Sequence, residues 1–302
     1  MNKRMKPTGM QKALIRRETI SAYLFLLPAL IFFVGFVIVP MVMCLVTSFF
    51  NYSMTEFAFV GFSNYVEMFQ DEIFIRALLN TILIVVVAVP VVTVFSLWVS
   101  SVIYKMNGAV CSFFRCIFYL PVVTGTVAVT VVWKWMFNRY TGLFNYVLGE
   151  TGIIDSDISW LGDERTAIWC IILILLTTSV GQPVVLYVSA LGNVDESLIE
   201  AAQVDGATSR QVFWKIKWPQ IMPTTLYILV ITTINSFQCY ALIQLLTSGG
   251  PNHSTETIMY YIYYQAFRLY RYGYGNAMGV ILAIIIAVFS AIQFKVAGRK
   301  ND

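Results

Sequence analysis

Six apolar stretches, each of about twenty residues or more, divide this chain at roughly 22–48, 77–104, 113–136, 167–190, 224–246 and 276–296. A hydrocarbon core about 30 Å thick is crossed by roughly 20 helical residues, and no water is present there to satisfy backbone polar groups. Such stretches must satisfy their own amides, so they are helices. A closed barrel would need alternating segments of about ten residues, and nothing here alternates. Charged residues make up only 12% of the 302, against about a quarter in a soluble domain. The expectation is an all-α membrane protein with six transmembrane helices. It forms one domain over 22–296, between an N-terminal segment 1–21 and a tail 297–302.

Lys3, Arg4, Lys6, Lys12, Arg16 and Arg17 precede the first apolar run. That run is far longer than the ~7–15 residues of a signal-peptide core, and no small-residue cleavage site follows promptly, so it reads as a retained span. With the N-terminus inside, Lys105, Arg115, Arg210, Lys215, Lys217, Lys295, Arg299 and Lys300 join those six on the inner side. Only Arg76, Lys134, Arg139, Arg165, Arg268 and Arg271 of the 20 basic residues face out. The asymmetry orients both termini toward the cytoplasm. The outer loops collect acids: Glu56, Glu67, Asp71 and Glu72, then Glu150, Asp155, Asp157, Asp163 and Glu164. The net charge of +4 reflects topology and offers no surface for nucleic acid. Cys44, Cys111, Cys116, Cys170 and Cys239 have neither metal-ligand nor redox-motif spacing, and the single His253 cannot build a metal site.

The inner loop 193–223 is richer than a connector. Asn193 is placed to cap a helix running through Glu196 and Glu200, and Gly206 to end it with a positive φ. Thr208 and Gln211 have capping-box spacing for a second helix, which Pro219 is expected to end. Pro223 suits the first turn of the fifth span. Physics thus gives a helix–turn–helix on the inner face, open to two readings: a docking element for another protein, or a hairpin resting on lipid headgroups through Phe213, Trp214 and Trp218.

The string EAAQVDGATSRQVFWKIKWP resembles the EAA loop of binding-protein-dependent ABC importer permeases. Glu200, Ala201, Ala202, Gly206, Ile216 and Pro219 stand at matching places, with Trp218 where leucine is usual. Further segments resemble the sugar-importing, maltose permease-like branch of that family. They are LFLLPALIFF with VIVP, FVGFSNY, the Asn80–Thr81 pair, YLP, WKWMF, GLFN, TSGGP, STET and YGYGNAM. The resemblance implies that the loop is a coupling helix, with Glu200, Ala201, Ala202, Asp205, Gly206, Ala207, Ile216 and Pro219 contacting an ATP-binding subunit. It also implies a dimer of those subunits, a second permease chain as heterodimer partner and an extracytoplasmic solute-binding protein, in the inner membrane of a bacterium or archaeon.

No phosphate-binding GxxxxGK[ST] string occurs, so ATP and Mg would be bound by the partner ATPase and no cofactor by this chain. No catalytic set is expected. Polar residues within spans usually face a cavity or a neighbouring helix. Gln182, Asn235, Gln238, Tyr240 and Gln244 are the candidates for a sugar path, since amides bond hydroxyls and aromatic faces suit C–H surfaces; helix–helix hydrogen bonding is their alternative role. Glycerol phosphate or a related polyol is the alternative substrate, although the spans carry almost no lysine or arginine for a phosphate. An ion-coupled secondary carrier is a further alternative, opposed by the lack of paired acids within the spans.

Overall fold

The computed structural model describes residues 9–154 and 157–298. The expected inner residues Lys3, Arg4, Lys6, Arg299 and Lys300, and the outer Asp155, lie outside them. The first span is a rod made of α1 (Gly9–Phe33), a wide π-turn (Val34–Ile38) and α2 (Val39–Thr47). Proline lacks an N–H, and its ring collides with the carbonyl four residues back. For Pro40 that carbonyl belongs to Phe36, inside the wide turn, where the Val39 amide bonds instead to Val34. The proline is therefore absorbed without a break. None of this span's apolar window is buried within the chain.

Two three-residue strands, β1 (Phe50–Tyr52) and β2 (Phe57–Phe59), then form a hairpin pairing Phe50 with Phe59, a small departure from the all-α expectation. Its alternate aromatic residues were hidden by their shortness. Buried Asn64, on α3 (Ser63–Gln70), anchors the hairpin by donating to the carbonyls of Ser48 at 2.8 Å and Phe50 at 2.9 Å.

Helix α4 (Glu72–Ile103) starts where the Asp71 carboxylate accepts from the amides of Ile73 and Phe74, and it is the central post of the fold. Beyond it come α5 (Gly108–Val123), α6 (Thr126–Met136), α7 (Leu143–Glu150), α8 (Ala167–Ser179) and α9 (Gly181–Gly192). The loop helices are α10 (Glu196–Val204) and α11 (Ser209–Val212), followed by a second π-turn (Phe213–Lys217) and α12 (Trp218–Phe237). The chain closes with α13 (Ala241–Leu246), α14 (Ile258–Tyr263), a third π-turn (Tyr264–Arg268) and α15 (Tyr272–Gly298). Helix α4 packs against α9 and α12, and α15 against α12 and α2. Small residues set the approaches of α9 to α4 and to α5: Ser96 and Ser100 donate to the carbonyls of Val180 and Val184, and a Cβ on Gly181 would lie 2.3 Å from the Phe118 carbonyl oxygen.

Glu18–Thr47, Glu72–Ile103, Ala167–Gly192 and Tyr272–Val296 are long and apolar enough to cross a membrane, four helices among the described residues. Two expected spans are not straight. The stretch 113–136 is the pair α5–α6, bent by 95°. Thr124 and Gly125 are extended there, three and four residues after Pro121. The stretch 224–246 is interrupted at Gln238–Tyr240, between α12 and α13. Periodicity could not show either break, because both halves of each remain apolar.

Candidate functional site

The loop between α9 and α12 is built from local rules, with three corrections, one being that Pro223 lies inside α12, which starts at Trp218, rather than in its first turn. Asn193 does not cap α10; α9 continues to Gly192 and uses Asn193 as its own C-terminal residue. The cap is Asp195, whose side chain accepts from the Ser197 amide at 2.9 Å, so Glu196 is the first helical residue rather than the third. Gly206 ends α10 as expected, at φ +81°. The Ala207 amide donates to Ala202 at 2.9 Å and the Gly206 amide to Gln203 at 3.0 Å, the paired bonds of a Schellman stop. Thr208 and Gln211 form the expected capping box. Pro219 does not end the second helix. Its clashing carbonyl, that of Lys215, lies in the π-turn Phe213–Lys217, so α11 runs through into α12 as the first span runs past Pro40.

Glu200, Ala201, Asp205, Gly206 and Pro219 are exposed on this loop, and Ala202, Ala207 and Ile216 are half-buried. Val204 is 87% exposed, so the loop presents an apolar and small-residue surface that the chain does not cover. Behind it lies a cavity of about 600 Å³ lined by Tyr104, Lys105, Glu196, Glu200 and Lys217. Lys217 is buried, hydrogen-bonded to the Tyr104 hydroxyl and 4.9 Å from the ring centroid. Sequence reasoning took this lysine as an inner-face charge and missed its burial.

The two broken helices meet where α13 packs on α6, and Gln182, Asn235 and Gln238 are exposed on that side of the chain. A hollow of about 150 Å³ is lined by Thr178, Gln182, Tyr227, Thr232 and Asn235. A second, of about 280 Å³, is lined by Thr124, Thr126, Thr178, Gln238 and Tyr240. The hollows share Val122 and Thr178 in their linings, so four of the five candidate path residues line two adjoining hollows. Gln244 lines neither; it lies half-buried on α13. The threonines were missed because isolated hydroxyls are ordinary in membrane helices, where they bond their own backbone; Thr178 does so to Ile174.

The break at Gln238–Tyr240 leaves the Cys239 carbonyl without a helical partner. Buried Thr257 donates to it at 2.8 Å. The segment around Thr257 is itself clasped to α4: Ile258 donates its amide to the Thr81 hydroxyl at 3.0 Å, and Asn80 donates to the Glu256 carbonyl at 2.9 Å. Ser254, Thr255, Glu256 and Thr257 are all buried in this polar knot. Burial pushes the Glu256 carboxyl up, against the lowering effect of His253 beside it. Nearby, burial also pushes Asp71 up, but hydroxyls of Tyr261 at 2.6 Å and Tyr274 at 2.7 Å, with the amides of Phe74 and Ile73, hold it below its ordinary value. Asp71 thereby ties the start of α4 to α14 and α15.

Residues 71–300 match the family described as binding-protein-dependent transport system inner membrane component. The chain is 32% identical to the probable ABC transporter permease protein YurN of Bacillus subtilis, over 93% of this chain and 97% of that protein. It is 30% identical to the lactose transport system permease protein LacF of Rhizobium radiobacter, covering 97% and 99%. With the multiple sugar-binding transport system permease protein MsmF of Streptococcus mutans, identity is 31% over 91% and 94%. Among solved structures, a chain of a bacterial alginate ABC transporter, crystallised with an alginate pentasaccharide-bound periplasmic protein, superposes with a TM-score of 0.81. Identity there is 25%, covering 94% of this chain and 96% of that one.

Proposed function

The chain belongs to the binding-protein-dependent transport system inner membrane components, and from that membership we propose how it carries its cargo. It is the multi-pass permease subunit of an ABC importer for a sugar or oligosaccharide, a transport component and not an enzyme. A solute-binding protein delivers the substrate. The sugar passes through the adjoining hollows, where Gln182, Asn235, Gln238 and Tyr240 offer amide and hydroxyl groups beside an aromatic face. That juxtaposition between two interrupted helices is the observation that carries the reading, because irregular backbone at membrane depth is tolerated where it lines a cavity. Gln244 is the outlying member of the set.

The bent pair α5–α6 counts as one span and α12 as another, which with the four straight helices gives six and leaves both ends in the cytoplasm. Residues 22–296 then form one permease domain, with 1–21 and 297–302 as its cytoplasmic ends. Loop 193–223 is the coupling element. Glu200, Ala201, Ala202, Asp205, Gly206, Ala207, Ile216 and Pro219 meet an ATP-binding subunit, one of a dimer that holds the ATP and Mg. A second permease chain completes the pathway, and the first span, none of whose apolar window is buried within the chain, gives it apolar surface to pack on.

The experiment is purification of the tagged chain from native membranes, beside a Gly206→Trp variant and an Asn235→Ala/Gln238→Ala variant. The wild type is expected to bring down an ATP-binding subunit and a second permease. The first variant is expected to lose the ATPase, and the second to keep it while losing sugar uptake. A chain that purifies alone refutes the assembly, and unchanged uptake by the second variant refutes the pathway.

A further inference from the structure

The cavity of about 600 Å³ behind the loop is lined by charges that do not neutralise one another. Two are lysines, Lys105 just past the end of α4 and Lys217 in the second π-turn; two are carboxylates, Glu196 and Glu200, on α10. Lys217 is only 6% exposed. Its ammonium lies 4.9 Å from the centroid of the Tyr104 ring, and that of Lys105 lies 5.8 Å from the same centroid. Two like charges therefore share one aromatic ring. Among the described residues the three ion pairs involve neither of these lysines and neither of these carboxylates. An ammonium has three donors, and Lys217 uses one of them, on the Tyr104 hydroxyl. A buried charge without a counter-charge is costly. Yet Glu196 and Glu200, four residues apart and so on one face of α10, line the same cavity beyond salt-bridge distance.

The cavity stands at a membrane surface. It lies where α4 and α9 end and the chain turns back into α12. The segment that carries Lys217 also holds Phe213, Trp214 and Trp218, and Trp214 is 54% exposed. Tryptophans settle at the level of lipid headgroups. Leu191, Val194 and Ile199 add apolar surface among the four charges. A simple anion would meet the lysines and be repelled by the carboxylates. A group that joins a phosphate to a primary ammonium suits both pairs: its phosphate oxygens accept from Lys217 and Lys105, and its ammonium donates to Glu196 and Glu200.

We propose that this cavity holds the headgroup of a zwitterionic phospholipid of the ethanolamine type, with the glycerol end against Leu191, Val194 and Ile199. The lipid supplies both counter-charges and braces the loop against the ends of α4 and α9. The inference is independent of the sugar reading; the topology proposed above decides only that the leaflet is the inner one.

The test uses the transporter purified with its partner subunits and stripped of lipid. Native mass spectrometry follows its titration with phosphatidylethanolamine, phosphatidylglycerol and soluble phosphoethanolamine. The expected result is one tightly held phosphatidylethanolamine per copy of this chain, with phosphatidylglycerol held more weakly. Lys217→Met is expected to weaken phosphatidylethanolamine by roughly ten- to hundredfold, the range of a hydrogen bond to a charged group. Lys105→Gln changes an exposed residue, leaves the fold intact and should weaken both lipids. Glu196→Gln should erase the preference for ethanolamine without weakening phosphatidylglycerol. Thermal unfolding without added lipid checks the fold of each variant. Phosphatidylethanolamine held equally by wild type, Lys217→Met and Lys105→Gln overturns the site. Phosphatidylglycerol held as tightly as phosphatidylethanolamine, with no effect of Glu196→Gln, makes it an anion site and overturns the zwitterion. Phosphoethanolamine held as tightly as the lipid makes the ligand a soluble one and overturns the membrane source. Loss of the ATP-binding subunit from Lys105→Gln with lipid retained makes the cavity a protein contact and also overturns the proposal. The titration runs equally on the chain alone, so a failure of assembly and a failure of the lipid site are separate results.

Discussion

Replacing Gly206 with alanine isolates one physical term at the proposed coupling loop. Nothing lies within 4 Å of where a Cβ would stand, so the substitution meets no steric obstacle. What remains is the backbone. At φ +81° an L-residue with a Cβ is strained by roughly 1–2 kcal/mol, whereas asparagine, with a short side chain that bonds locally, tolerates the left-handed region better. In the free loop the strain is released by opening the Schellman turn, and docking then has to restore it. The expected result is an ATP-binding subunit held about five- to thirtyfold more weakly by Gly206→Ala, with Gly206→Asn between alanine and wild type. The assay is titration of the reconstituted permease with purified ATP-binding subunit, read as Kd. Equal affinity for glycine and alanine, or asparagine weaker than alanine, refutes the argument that the left-handed stop shapes the docking surface.

Thr257→Val should leave the Cys239 carbonyl buried and unpartnered, destabilising the protein by about 1–3 kcal/mol in thermal unfolding, while Thr257→Ser should restore it. At the inner cavity the two partners of one contact should behave unequally. Tyr104→Phe strands the buried Lys217 ammonium and costs about 1–3 kcal/mol, whereas Lys217→Met removes the charge and should be close to neutral; equal losses would count against the contact. Two carboxylates should respond to pH in opposite senses. Glu256, raised by burial, favours its protonated form, so its contribution to stability is present at low pH and lost as pH rises through its folded-state value. Asp71, held low, contributes above the ordinary carboxylate range and loses that contribution on acidification. Unfolding temperature followed against pH should therefore lose its acid-side gain in Glu256→Gln and its acid-side fall in Asp71→Asn, and identical profiles for both variants and wild type would refute the assignment.

The helical class, the approximate position of each apolar stretch and the local rules of loop 193–223 were legible in the sequence because each depends on neighbours a few residues apart. Hydrophobic length decides whether a helix can lie in lipid. The Gly206 stop and the Thr208–Gln211 box are bonds between near residues, and both formed as read. The errors arose where a local signal had more than one outcome. Asn193 and Asp195 are both competent caps, and how far α9 ran decided between them. A proline can end a helix, be absorbed by a wide turn upstream as at Pro40 and Pro219, or stand within the helix as Pro28, Pro90 and Pro223 do.

What surrounds the candidate path could not be read along the chain at all. The hollow joining Gln182 to Asn235 needs α9 and α12 side by side, and the one at Gln238 needs the bend after Pro121 to face the break in the fifth stretch. Thr257 caps a carbonyl eighteen residues away, and Thr81 accepts an amide from 177 residues on. Composition and periodicity fix which residues enter the membrane, since each stretch is weighed against lipid by itself. Only packing decides which polar groups are left facing one another, since that depends on helices approaching at Ser96, Ser100 and Gly181, contacts no single stretch contains.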